Sequence, residues 1–126
     1  MPRYKITIEY DGTNYSGWQK QAKTASIAGT IEQAIKNFTG EDVLLYGSGR
    51  TDAGVHALGQ VAHFDLMTDR FSEQKIVLAT NYHLKGKGIV ILDASLVKSD
   101  FHARFSATKR TYIYKILNRQ TQSAIY

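Results

Sequence analysis

At 126 residues, 43% of them hydrophobic, the chain is long enough for one globular domain with a core of ordinary size. The lack of cysteine excludes disulfides, thiol chemistry and cysteine-based metal sites, and no apolar run is long enough to cross a bilayer. The formal charge of +5 matters for where it sits along the chain, and Met1-Pro2-Arg3-Tyr4-Lys5 runs into a strand pattern, not a signal peptide, so a cytoplasmic home is expected.

Tyr4, Ile6, Ile8 and Tyr10 alternate with Lys5, Thr7 and Glu9, which predicts a half-buried first strand. Residues 11–25 are polar and contain glycine, with Tyr15 and Trp18 as their large apolar groups, and read as a long loop. Ile27, Ile31, Ala34, Ile35 and Phe38 recur at helical spacing, and Gly40 supplies a C-terminal stop. A second strand is expected at about 43–47 and a third at about Gln60–Asp65.

A second helix is expected from the N-cap Ser72 to about Leu84, with Ile76, Val77, Thr80 and Leu84 as its apolar set. Lys85-Gly86-Lys87-Gly88 is a turn into the continuous apolar strand Ile89-Val90-Ile91-Leu92, and a last strand falls near Thr111–Leu117. The order strand, helix, strand, strand, helix, strand predicts an α+β ferredoxin-like sandwich: a mainly antiparallel sheet with two helices on one face and one further strand at the end.

Between the second and third strands lies Gly47-Ser48-Gly49-Arg50-Thr51-Asp52-Ala53-Gly54-Val55-His56-Ala57. Glycines bring a backbone close to a ligand and open conformations closed to other residues. Asp52 sits in this turn two residues from Arg50, and a neighbouring cation favours an ionised carboxylate. Taken alone, an aspartate in a glycine turn most often only hydrogen-bonds its own bend, and Arg50 would form a surface ion pair worth about 0–1 kcal/mol.

From Lys98 onward the basic residues Lys98, Arg104, Lys109, Arg110, Lys115 and Arg119 face only Asp100, with Phe101, Phe105, Tyr112 and Tyr114 among them. Cations that neutralise phosphates mixed with rings that stack on bases suit RNA; a solvated basic face over core aromatics suits the same composition. The four histidines, His56, His63, His83 and His102, match no metal-ligand spacing, and the glycine turn lacks the Gly-Lys-Ser/Thr ending of a phosphate loop.

The block Gly49-Arg50-Thr51-Asp52-Ala53-Gly54-Val55-His56-Ala57-Leu58-Gly59-Gln60-Val61-Ala62-His63-Phe64 closely resembles the tRNA pseudouridine synthases of the TruA family. Three further blocks follow that family's order. They are Ile8-Glu9-Tyr10-Asp11-Gly12 with Tyr15-Ser16-Gly17-Trp18-Gln19, then Asp100-Phe101-His102-Ala103-Arg104-Phe105-Ser106-Ala107-Thr108, then Arg110 with Tyr112. The likeness runs from about Tyr4 to about Asn118. The chain departs from the family at Ala28, where a glutamine is usual, and at Lys85, where a proline is common.

The resemblance implies isomerisation of uridine to pseudouridine in the anticodon stem-loop of tRNA, with Asp52 as the single catalytic carboxylate and with neither metal nor organic cofactor. It implies that Arg50 helps extrude the target nucleotide or holds the catalytic carboxylate and phosphate, that Tyr112 stacks on the target base and assists proton transfer, and that Arg104 and His102 contact RNA. Homodimers are the family's habit. Its members carry two α+β halves with the cleft between them, so residues 1–126 read as one domain, the N-terminal half. Two other readings use the same residues: a noncatalytic RNA-binding remnant, and a generic ferredoxin-like interaction domain, which leaves the Gly49–Phe64 block unexplained.

Overall fold

The computed structural model describes residues 1–15, 17–18, 26–49 and 56–103. Within them, β1 (Arg3–Tyr10) is followed by α1 (Ile27–Thr39), β2 (Tyr46–Gly47), β3 (Ala57–Asp65), α2 (Glu73–His83) and β4 (Ile89–Val97). The four strands form one sheet in the order β2-β3-β1-β4, and every neighbouring pair is antiparallel. This is the split β-α-β arrangement that the element order predicts, an α+β sandwich. The last strand expected near Thr111–Leu117 lies outside the described residues.

The alternation in β1 does what its period requires. Tyr4, Ile6, Ile8 and Tyr10 are buried on the face that the helices cover, while Arg3, Lys5, Thr7 and Glu9 face the other way. The register continues this division into β3, where Phe64, Ala62 and Gln60 stand beside Tyr4, Ile6 and Ile8. Lys5 and Arg3 stand opposite His63 and Asp65 on the open face. The buried cluster joins this inward face to Ile27, Ile31, Ala34 and Ile35 of α1 and Ile76 of α2.

Both helices begin on a serine. Ser26 Oγ accepts from the Gly29 amide and Ser72 Oγ accepts from the Lys75 amide, each at 3.1 Å. Gly40 ends α1 at φ 78°, a left-handed conformation that a side chain would disfavour.

β2 is shorter than the sequence suggests. Val43 and Leu45 are buried, as a strand would bury them, but the Leu45 amide donates to Glu32 Oε2 of α1 at 2.9 Å instead of joining the ladder. β3 starts earlier than expected, at Ala57, and β4 runs on to Val97. β4 is not buried on both faces: Ile89 and Ile91 are buried, and the equally apolar Val90 and Leu92 are half exposed.

Among the described residues β4 is an edge strand, and α2 covers part of its outer rim. Asn81 donates through Nδ2 to the Ile91 carbonyl at 3.0 Å and accepts the Ile91 amide on Oδ1 at 2.7 Å. Glu73 Oε2 accepts the Leu96 amide at 2.7 Å. Backbone groups that would otherwise template another strand are thereby occupied.

Candidate active site

Arg50 and Asp52 lie within residues 50–55, outside the described residues, and side chains fasten the chain on both flanks of that stretch. On the entry side the Ser48 amide donates to the Val61 carbonyl at 2.7 Å, extending the β2–β3 pairing beyond Gly47. The Gln60 side chain then grips both residues that follow Gly47. Its Oε1 accepts from Ser48 Oγ at 2.9 Å and its Nε2 donates to the Gly49 carbonyl at 2.6 Å. Ser48 and Gln60 are buried, so these bonds stand where water does not compete, and a missing partner would leave a polar group stranded.

Gly47 is glycine for a steric reason. A Cβ built there would lie 2.8–2.9 Å from three atoms of the Trp18 indole. Trp18 is itself buried, tilted against Tyr10 at 6.1 Å between centroids, and its carbonyl accepts the Ala28 amide at 3.0 Å. The first loop, β1, α1 and the root of the turn therefore meet at one ring. Neither Gly47 nor Gly49 has a positive φ; close approach to the Trp18 indole is the reason for glycine at Gly47, whereas a Cβ on Gly49 would meet nothing within 4 Å.

The exit side is tied by His56, whose Nδ1 accepts the Gly12 amide at 2.8 Å just before Ala57 pairs with Tyr10. An acceptor nitrogen carries no proton, which makes Nδ1 the unprotonated position of the ring. The same Nδ1 lies 3.1 Å from Asp11 Oδ1. It cannot accept from Gly12 and donate to Asp11 at once, and the shorter, backbone-directed bond defines the contact. The Thr13 hydroxyl and amide hold Asp11 Oδ1 at 2.6 and 3.0 Å and keep the Asp11 carboxyl below its ordinary value, against a smaller opposing effect of burial.

Of the residues that the sequence nominates for the site, His102 is described. It is half-buried on the open sheet face, with its ring 4.6 Å from His63 and 5.7 Å from Tyr46. Asp52, Arg50, Arg104 and Tyr112 lie outside the described residues. Among the described residues no group of three or more His, Asp or Glu side chains converges to hold a metal ion, and no helix is long and apolar enough to cross a membrane.

Gln60, Ser48 and Trp18 were not singled out as site supports by sequence reasoning. Gln60 did leave a trace: it shares the inward parity of Ala62 and Phe64, and a polar residue at a core-facing strand position needs a partner.

A sequence model for the family described as tRNA pseudouridine synthase matches residues 6–106. The chain is 60% identical over 124 residues to the tRNA pseudouridine synthase A of Wolbachia pipientis wMel, a match covering 98% of this chain and 50% of that protein. It is 52% identical over 120 residues to the protein of the same name from Maricaulis maris (strain MCS10), covering 95% of this chain and 48% of that one. The chain thus spans about half the length of the curated relatives it matches.

Proposed function

The chain belongs to the tRNA pseudouridine synthase family, and from that premise we propose that it carries the catalytic aspartate, Asp52, of an isomerase converting uridine to pseudouridine in the anticodon stem-loop of tRNA. The observation that supports this most is the anchoring of the turn that bears Asp52. A buried glutamine clasps one root and a histidine the other, on a strand pair whose register is fixed. Catalytic groups need placement to within a fraction of an ångström, and rigid roots are how a loop supplies it.

The reaction breaks the bond between uracil N1 and ribose C1′, turns the base, and joins C5 to C1′; the hydrogen on C5 leaves as a proton and N1 gains one. An ionised carboxylate serves that sequence by attacking the sugar or the pyrimidine ring, or by stabilising positive charge at the sugar while the base turns. Arg50 has the task of extruding the nucleotide, for which a few kcal/mol of unstacking must be met. Tyr112 stacks on the turned base, and Arg104 and His102 contact the RNA. The substrate partner is tRNA in the cytoplasm, and a homodimer is the expected assembly, checked by sizing chromatography.

Tritium release from tRNA carrying 5-tritiated uridine tests the reading, because forming the C5–C1′ bond expels that hydrogen. Time-dependent release that Asp52→Asn abolishes, with tRNA binding kept, is the expected result. Release that survives Asp52→Asn refutes the assignment. Binding without release in the unaltered chain selects the noncatalytic RNA-binding alternative.

A further inference from the structure

On the open face of the sheet, away from the turn roots, a short segment is fastened by two bonds. The Ala103 amide donates to His63 Nδ1 at 3.1 Å, and Arg3 Nη1 donates to the Phe101 carbonyl. Arg3 is itself held in place by a two-pronged pair with Asp65, at 2.8 Å from Nε and 3.0 Å from Nη2. Rings fill the space between: Tyr46 stacks on His63 at 5.1 Å, and Phe101 and His102 meet its edge at 6.0 and 4.6 Å. His63 and Ala103 are sealed, at 1% and 0% exposure.

The register makes this placement informative. Arg3 pairs with Asp65, His63 with Lys5 and Tyr46, and Ala62 with Gly47. Going from Phe101 to Ala103, the segment therefore advances from the Arg3–Asp65 row to the His63 row, toward the end of β2 from which the Asp52 turn departs. The next residue in the chain is Arg104, the start of the block assigned to RNA.

We propose that His63 is a positioning residue which, with Arg3, fastens Phe101–Ala103 to the sheet and so sets where the Arg104–Tyr112 block starts relative to the Asp52 turn. The inference rests on the functional reading above, because the block matters only if it contacts substrate. His63 touches no reacting atom; it acts through the backbone of Ala103.

The fastening requires an imidazole whose Nδ1 accepts, because a protonated ring offers only donors. The groups facing it are Arg3 and Lys5 of β1, Tyr46 of β2, Asp65 of β3, and His102 of the segment itself. Burial, then the Arg3 guanidinium, then His102 push His63 down from 6.5 to about 4, and Asp65 works weakly against them. Near neutral pH the acceptor is in place.

His63→Phe keeps a ring against Tyr46 and removes the acceptor; His63→Asn offers a carboxamide oxygen near the Nδ1 position. Amide exchange followed by NMR and binding of a uridine-containing anticodon stem-loop are measured on both variants and on the unaltered chain. In His63→Phe, exchange at Ala103 rises about fivefold or more while β1 and β3 amides stay protected, and stem-loop affinity falls by a similar factor. His63→Asn recovers both, at least in part.

Unchanged exchange at Ala103 in His63→Phe overturns the proposal. So does faster exchange with undiminished affinity, which would make the bond purely structural. Titration of the Ala103 amide resonance with a midpoint near 6.5 overturns it as well, the expected midpoint lying well below. An Asp52→Asn arm keeps the two claims apart: unaffected turnover there defeats the functional reading, and the His63 claim is decided by exchange and affinity alone.

Discussion

Substituting Gly47 with alanine tests the packing that supports the site. The added methyl would stand 2.8–2.9 Å from Cε2, Nε1 and Cζ2 of Trp18, where carbon–carbon contacts normally settle at about 3.5–4.0 Å. Something must move by more than half an ångström. The indole cannot swing into solvent, because it is buried against Tyr10 and its backbone is bonded to α1. The methyl therefore pushes β2 away from the ring or forces the ring off its rotamer.

Overpacking of this kind costs roughly 1–3 kcal/mol. Alanine recovers about 0.5 kcal/mol of the backbone entropy that glycine loses in a strand. A net loss of about 1–2 kcal/mol is expected, which for a domain of this size lowers Tm by roughly 3–10 °C. Urea unfolding should show a lower midpoint with an unchanged m-value. In a Trp18→Leu background, where all three contacted ring atoms are gone, the same Gly47→Ala change should cost less than half as much. A Gly47→Ala midpoint equal to that of the unaltered chain, or an equal cost in both backgrounds, would refute the steric argument. Tritium release should also fall in Gly47→Ala, since β2 delivers the chain directly to Ser48 and Gly49.

Gln60→Leu removes both side-chain bonds to the turn root and should cost about 1–3 kcal/mol in urea unfolding. Its tritium-release rate should fall about tenfold or more in kcat with KM little changed, because the reacting group is displaced and substrate binding is not. Thr80 Oγ1 is buried in α2 with no hydrogen-bond partner among the described residues, so Thr80→Val should leave stability unchanged or raise it by up to about 1 kcal/mol in thermal unfolding. His63 makes stability fall with acid. With a value of 6.5 unfolded and about 4 folded, its contribution is intact above pH 6.5 and is lost progressively as pH drops toward 4, by at most roughly 3 kcal/mol. The urea midpoint of the unaltered chain should therefore decline more steeply over that window than that of His63→Asn.

The elements that sequence reasoning located well are those in which one local signal decides the outcome. β1 is a pure alternation, and Ser26, Ser72 and Gly40 act on backbone groups within their own turn. Where tertiary contacts intervene, the local signal misleads. Val43-Leu44-Leu45 alternates in burial like a strand, but a carboxylate from α1 claims the Leu45 amide. Ile89–Leu92 looks apolar throughout, but β4 is an edge strand among the described residues, and Val90 and Leu92 do not share the core.

The same division holds at the site. The Arg50–Asp52 turn stands out in the sequence because its chemistry is concentrated in adjacent residues. Its supports are scattered: Trp18 beneath Gly47, Gln60 across β3, and His56 against Gly12 come together only through folding. His63 appears in the sequence as one of four unremarkable histidines. Its role depends on Arg3, sixty residues before it in the chain, and on Ala103, forty residues after it.

The most direct test of the central claim is a structure of this chain bound to an anticodon stem-loop with its target uridine. The clasped turn should present the Asp52 carboxylate to the flipped nucleotide, within reach of C1′ or of the pyrimidine ring. A carboxylate turned into its own bend, with the uridine seated elsewhere or still stacked in the loop, would contradict the account.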